Sequence, residues 1–408
     1  MIGKVAAERL AGERWFAAKG REVDRIETVD AVAAGDGTLA IVDVRFADGA
    51  TERYALPEGR RLWGPLLARL TDGPIGGFRF SGAGRGGPLD GAEHALERDQ
   101  SNSSYVLGGD VLVKCYRRLW PGVHPEVELV TFLGERFTGV PAALGSLHHV
   151  DGSGREWAVA LVQEYVPEAE DGWGWCRALV EDVRQGAAVD PSWAGSVGVL
   201  TAELHGALAE LGTRTACAEE LGVRRRAAER EVDRVAGLTG GATADGLREQ
   251  LACFERPHWM PHLSRVHGDY HVGQILLSQV GYRVIDFEGE PTRSLEERRA
   301  LDSPLRDVAS MLRSIDHVPL WVLRDRRGNG ELAGHWAAAC RASFLQAYAE
   351  NQPVSATTSE HVLDHSLLRA LEAEKAAYEF AYAESFLPEW LPIAAAGAEL
   401  LLSREVGE

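Results

Sequence analysis

Two short segments near residue 270 carry the side chains best suited to chemistry: Val266-His-Gly-Asp-Tyr-His-Val-Gly-Gln-Ile-Leu276 and Val284-Ile-Asp-Phe-Glu-Gly-Glu290. The first reads as a short strand running into a polar loop. The second reads as an apolar strand that ends on a carboxylate. Leu276–Ser278 and Tyr282–Ile285 can pair through the turn at Gln279-Val-Gly281, which folds Asp286 back towards Asp269 and Gln274. Phosphoryl transfer needs such parts: a carboxylate to orient a hydroxyl and take its proton, oxygen ligands to hold magnesium on the phosphates, and a lysine to neutralise the phosphates that stay behind. Asp269 fits the first part, and Gln274 and Asp286 the second. A serine or cysteine hydrolase does not fit, because no nucleophile accompanies His267 or His271 in this island.

The elements around the island must position it. Residues 1 to about 90 read as a separate module: a short helix over Gly3–Leu10, then strands over Leu39–Phe46 and Thr51–Leu56 joined by an Asp-Gly turn. A glycine-rich stretch over Phe80–Pro88 reads as a linker or exposed turn. From 93 to 166 the pattern is strand, strand, helix, strand. It comprises a hairpin over Ser104–Tyr116, a helix opening at Pro125 and running to about Phe137, and a buried strand over Trp157–Gln163. Helical periodicity dominates afterwards, over Val197–Leu211, Arg224–Ala236, Asp245–Phe254, Gly334–Asn351 and Leu367–Ser385.

The bulk numbers restrict the classes of function. The 408 residues exceed what one core normally needs, so two or three packed units are expected. The net charge of -18 repels nucleic acid and anionic lipid and tolerates small neutral or cationic substrates. The five cysteines form no CxxC pair, which argues against a zinc site or a disulfide framework. No apolar stretch is long enough for a membrane span and Met1–Arg9 does not read as a secretory signal, so a cytoplasmic location is expected, as a monomer or weak homodimer.

The two segments together resemble the catalytic and metal motifs of the aminoglycoside-phosphotransferase-like kinases, whose pattern is H-G-D-x-H-x-x-N followed by I-D-F-E/D. Gln274 stands where that pattern has Asn. This change, with Gly289-Glu-Pro291, resembles the actinobacterial maltokinases and their glucosamine kinase relatives. Further blocks in the same order are similar: Arg14–Arg21, Asp99–Ser104, Val113–Leu119, Gln163–Pro167, Asp171–Trp173 and Tyr378–Trp390. The resemblance implies an α+β, bilobal, protein-kinase-like fold with an additional N-terminal cap domain (1–92), an ATP-binding N-lobe with its hinge (93–166) and a mainly helical C-lobe (167–408). It implies ATP and magnesium as cofactors, with Glu288 joining Gln274 and Asp286 at the metal. It also implies Lys114 on the α- and β-phosphates, with Glu128 as its ion-pair partner. Ser101, Asn102 and Ser103 would cover the phosphates, and the backbone of Glu164–Val166 would pair with adenine. Asp307 would brace the catalytic loop from behind, and His205 would be a satisfied histidine between helices.

The acceptor contacts implied for a sugar are Asp269, His271, Glu374, Tyr378, Tyr382, Glu384 and Trp390. Maltokinases resemble Y-E-A-R-N-R-P-D-W at a stretch that here reads Tyr382-Ala-Glu-Ser-Phe-Leu-Pro-Glu-Trp390. Two arginines are replaced by Ser385 and Leu387, and an acid appears at Glu384. Losing guanidinium forks removes donors that grip a disaccharide, and added negative charge suits an ammonium-bearing sugar. The reading is therefore an ATP-dependent sugar kinase making glucosamine 6-phosphate. A maltokinase forming maltose 1-phosphate is the alternative, ahead of an aminoglycoside antibiotic phosphotransferase or a nucleotide sensor without catalysis.

Overall fold

The computed structural model describes residues 20–82, 91–96, 102–255, 260–324, 330–352 and 363–404, with Leu10, Glu13, Trp15, Phe16 and Ala18 ahead of them. The expected N-terminal helix apart from Leu10, the glycine-rich stretch beyond Gly82, and Ser101 lie outside the described residues. The chain divides into two compact units, residues 1–168 and 169–408.

The first unit holds two antiparallel sheets. Strands β1 (Val23–Ala34), β2 (Gly37–Phe46) and β3 (Thr51–Glu58) precede helix α1 (Trp63–Thr71). There follow β4 (Phe78–Ser81), β5 (Glu93–Leu96), β6 (Ser103–Leu107), β7 (Val111–Cys115), β8 (Arg118–Leu119), α2 (Pro125–Leu133), β9 (Ala143–Val150) and β10 (Glu156–Glu164). The sheet orders are β1-β2-β3-β8 and β4-β9-β10-β7-β6-β5. Residues on both sides of position 92 thus share both sheets, through β8 in the first and β4 in the second.

β2 buries Leu39, Ile41, Val42, Val44 and Phe46, and Phe16, Phe46 and Tyr54 pack in one cluster. β1 is not signalled by its sequence because it is an edge strand, solvated along most of both faces. β10 is the opposite case. It is buried without interruption from Trp157 to Gln163, as befits a strand covered on both faces.

The second unit is mainly helical. It contains β11 (Glu170–Asp171), α3 (Gly172–Arg184), α4 (Ser192–Ala209), β12 (Arg214–Thr215), α5 (Ala218–Thr239), α6 (Gly241–Leu251) and β13 (His262–Leu263). β14 (Ile275–Ser278) and β15 (Gly281–Val284) form the expected hairpin, with Ser278 opposite Gly281 and β11 along the other edge of β14. α7 (Leu295–Arg299), α8 (Leu305–Leu323), α9 (Gly330–Glu350), α10 (His365–Phe386) and α11 (Leu391–Ser403) complete it. α11 escapes periodicity analysis because it is apolar nearly all round, which leaves no polar face to define a period.

α8 is buried along most of its length and packs against α3, α9, α10 and α11. An internal ion cluster ties three of these helices and the chain after α11 together. Asp316 of α8 accepts from both terminal nitrogens of Arg404 at 2.8 and 2.7 Å and from Arg341 of α9 at 3.3 Å. Arg341 also donates to both oxygens of Glu372 on α10, at 2.8 and 3.1 Å. Asp316 is fully shielded from solvent. Removing one partner of such a pair strands the others without compensation. Asp316→Asn is therefore expected to lower unfolding stability by about 3–5 kcal/mol, read as a lower midpoint in urea, while Arg25→Ala on the exposed surface leaves the midpoint unchanged.

Candidate active site

The loop over residues 267–274, which carries Asp269, is held by one buried carboxylate. Asp307, in the first turn of α8, accepts the backbone N–H of His267 at 2.7 Å and of Gly268 at 2.9 Å. His205 of α4 stands 3.3 Å behind it and bonds Tyr348 of α9 through its other ring nitrogen at 2.9 Å. Burial alone would raise the Asp307 carboxyl. The bond to His205, nearby positive charge and the backbone donors outweigh burial and hold it below the usual range. This is the brace expected from behind the loop, and His205 is the satisfied histidine between helices.

The rest of the loop is fixed link by link. His267 bonds the Ile285 carbonyl oxygen at 2.9 Å through Nε2, and its Nδ1 accepts from the Asp269 N–H at 3.3 Å. The Tyr270 hydroxyl meets Thr201 of α4 at 2.8 Å, and the Val272 N–H donates to Ser314 of α8 at 3.0 Å. Gly268 has φ +88°, where a side chain would be strained. Gly172, opening α3, lies so close to the loop that a Cβ would stand 2.0 Å from the Val272 carbonyl oxygen.

The hairpin brings Asp286 back to the loop as the sequence suggests. Gln274 Nε2 donates to Asp286 Oδ2 at 3.2 Å, and the Ile285 N–H donates to the Gln274 carbonyl at 3.0 Å. Asp286 takes φ +68°, a left-handed conformation that Asp tolerates better than bulky residues. Carboxylate oxygens of Asp286 and Glu288 lie within 4.8 Å of each other. His271 contacts Gln274 at 3.3 Å, and burial lowers its pKa.

Asp269 lines a cavity of about 450 Å³ with His271, Tyr378, Tyr382 and Trp390. Trp390 stacks on Trp321 at 4.9 Å, with Trp173 at 5.3 Å, so the pocket has an indole wall. Tyr378 and Tyr382 stack at 6.0 Å on α10, and burial pushes the Tyr378 hydroxyl up to about 12.

Two expected acceptor residues are not among those lining the cavity. Glu374 accepts from Arg224 at 2.9 and 2.6 Å, and Glu384 is exposed. The face of α10 that meets the cavity is carried by Lys375 and Glu379 with the two tyrosines. Lys375 and Glu379 each lie three residues before a tyrosine, whereas the expected face took Glu374 at the spacing of four before Tyr378, one residue out. Glu379 accepts from Arg313 of α8 at 3.1 and 2.8 Å, with His317 at 3.4 Å. Lys375 stands 3.6 Å from Asp269 and 2.7 Å from Glu290.

In the first unit, Lys114 lies on β7 opposite Leu161 of β10 and Ser104 of β6. Its ammonium bonds Glu126 at 2.9 and 3.0 Å, and the Tyr116 hydroxyl donates to the same carboxylate at 2.8 Å. This corrects the expected pairing with Glu128. α2 begins at Pro125, so Glu126 is its second residue and faces the sheet, whereas Glu128 lies about 200° further round the helix. Ser103 accepts from Arg117 at 2.7 Å, and Asn102 immediately precedes β6. The Glu164 N–H donates to the Ala142 carbonyl at 2.9 Å, and the Tyr165 N–H to Asp110 at 2.9 Å.

A family model described as the phosphotransferase enzyme family matches residues 94–351. The chain belongs to that family. This phosphotransferase is 30% identical over 385 residues to the glucosamine kinase of Streptacidiphilus jiangxiensis, covering 87% of this chain and 82% of that protein. It is 30% identical over 403 residues to the glucosamine kinase of Mycolicibacterium smegmatis, covering 93% and 98%. A solved structure of a glucosamine kinase in complex with glucosamine, ADP and inorganic phosphate matches with a TM-score of 0.74 and 26% identity over 97% of this chain and 99% of that one. The kinase class and the kinase-like fold with a helical C-terminal part, read from the sequence, agree with these relatives. Among the described residues no helix is long and apolar enough to cross a membrane.

The loop's supports carry a pH dependence. Asp302 joins Arg306 at 3.0 Å and also pairs with Arg224. Burial would raise its carboxyl, but the two guanidinium charges hold it down at about 2. A depressed carboxylate contributes stability that is complete above its unfolded value, about 4, and is lost as pH falls towards 2. Urea midpoints are expected to hold from pH 7 to 5 and fall steeply below pH 4. Asp302→Asn should lower the neutral-pH midpoint and flatten the acid decline.

Proposed function

We propose that the phosphotransferase moves the γ-phosphoryl group of ATP to the 6-hydroxyl of glucosamine. The cavity carries this reading: the carboxylates of Asp269 and Glu379, both partly shielded from solvent, share one aromatic-walled pocket. A carboxylate can accept from a sugar ammonium or hydroxyl, and indole and phenol rings can pack on pyranose C–H faces. The absence of guanidinium groups at Ser385 and Leu387 further supports a small amino sugar over a disaccharide. The names of the two curated relatives and the glucosamine in the solved complex support the same acceptor.

In this reading Asp269 orients the acceptor hydroxyl and takes its proton as the bond to phosphorus forms. Tyr378, Tyr382, His271 and Trp390 shape the pocket around the ring. Lys114, aimed by Glu126, neutralises the α- and β-phosphates. Asn102 and Ser103 lie over the phosphates, and Ser101 is proposed beside them. Glu164 meets adenine through its carbonyl oxygen, its N–H being engaged by Ala142, and Val166 offers the next backbone contact.

The residues at the hairpin fit magnesium, a hard cation that takes oxygen ligands. Asp286 and Glu288 present neighbouring carboxylate oxygens, and turning over the Gln274 amide presents Oε1 beside Asp286. When bound, the ion supplies charge neutralisation on the phosphates.

Asp269→Asn is expected to lower kcat by about 10³-fold or more while ATP affinity changes by less than about threefold, measured by coupled ADP release and by isothermal titration. In a panel of glucosamine, glucose, maltose and aminoglycosides, glucosamine should give the highest kcat/KM. A preference for maltose would transfer the reading to a maltokinase.

A further inference from the structure

Glu290, in the Gly289-Glu-Pro291 segment, is buried and gathers three cations. Lys375 and Arg306 each donate to it at 2.7 Å, and so does Arg293. Two of these cations also reach the catalytic loop. Arg306 lies 3.4 Å from the Gly268 carbonyl oxygen, immediately before the base in sequence. Lys375 stands 3.6 Å from Oδ1 of Asp269 itself, a charge contact rather than a hydrogen bond. Glu290 is therefore the anchor of a closed circuit, from the Asp269 side chain through Lys375 and Arg306 back to the peptide that carries Asp269.

The geometry points to Lys375 as a positioning residue for phosphoryl transfer: anchored on Glu290, it fixes Oδ1 of Asp269 by its charge and so leaves Oδ2 to face the acceptor hydroxyl. The assignment rests on the reading of Asp269 as the base. Among the described residues, Lys375 is the lysine or arginine that lines the acceptor cavity, and the fourfold-bonded Arg313 stands behind Glu379 and outside the lining. Burial would push the Lys375 ammonium down, yet Glu290 and Asp269 hold it above its ordinary value, so it is charged throughout the working pH range. Its ammonium also packs 4.7 Å from the Tyr378 ring centre, which limits its freedom to leave the circuit. A charge anchored in this way selects one rotamer of a carboxylate that is otherwise partly exposed. A misaligned base costs rate without weakening nucleotide binding.

The test uses the full chain with MgATP and glucosamine. Lys375→Met is expected to lower kcat by about 10²-fold with KM for ATP within about threefold. Lys375→Arg, which keeps the charge and the reach to Glu290, is expected to recover at least a tenth of the wild-type rate, roughly the range of a single well-placed charge. Lys375→Ala should regain about tenfold in kcat when ethylammonium is added, a response that a purely structural role for the side chain does not produce. A wild-type kcat in Lys375→Met overturns the assignment. So does a rate loss in Lys375→Arg equal to that in Lys375→Met, or a Lys375→Ala variant indifferent to ethylammonium. Asp269→Asn is measured alongside: if it keeps full activity the base reading fails and takes the lysine's role with it, whereas an inactive Asp269→Asn beside a fully active Lys375→Met defeats the lysine alone.

Discussion

A carboxylate buried at the start of a helix governs the geometry of this active site. Asp307 receives the two N–H groups of His267 and Gly268, and its position is set by α8, the most deeply buried helix of the second unit. The interaction is unusually constraining because both oxygens are used and water is excluded. Hydrogen bonds from two backbone donors, one to each oxygen of a carboxylate in a dry setting, are charge-assisted and short. Everything that follows in the loop, from the Asp269 carboxylate to the Gln274 amide, is placed relative to that anchor through His267, Val272 and Ser314. The ion cluster around Asp316, about two and a half turns further along the same helix, keeps the anchor itself from moving.

The chemistry parts of the loop were legible in the sequence because they are local. His267, Asp269, Gln274 and Asp286 lie within 20 residues, and the turn that folds them together is marked by Gly281, which takes φ +97°. The brace at Asp307 was legible only through resemblance, since 38 residues separate it from Asp269. The ion-pair partner of Lys114 was misread by two positions. Choosing between Glu126 and Glu128 needs the exact phase of α2, and a single turn of helix holds both. The same phase error on α10 put Glu374 in the pocket and left Lys375 and Glu379 out. Glu374 is instead claimed by Arg224, a guanidinium 150 residues away whose position no local pattern announces.

Some elements were silent for physical reasons. β1 has no buried face to impose alternation along most of its length, and α11 has no polar face to impose a helical period. Glu290 belongs to a motif visible in the sequence, yet its surroundings come from three cations that arrive from different places in the chain. Buried charge networks of this kind depend on tertiary placement. Their individual members look like ordinary surface residues in a sequence, here amid an abundance of arginines and acids.

In the proposed reaction an amino sugar enters the aromatic pocket and loses its primary hydroxyl proton to Asp269. The most direct measurement is phosphorus-31 to proton correlation NMR on the product formed from MgATP and glucosamine. The expected product is a phosphomonoester coupled to the two C6 protons, formed in proportion to ADP. A phosphate coupled to the anomeric proton, or ADP released with no phosphorylated sugar, would contradict it.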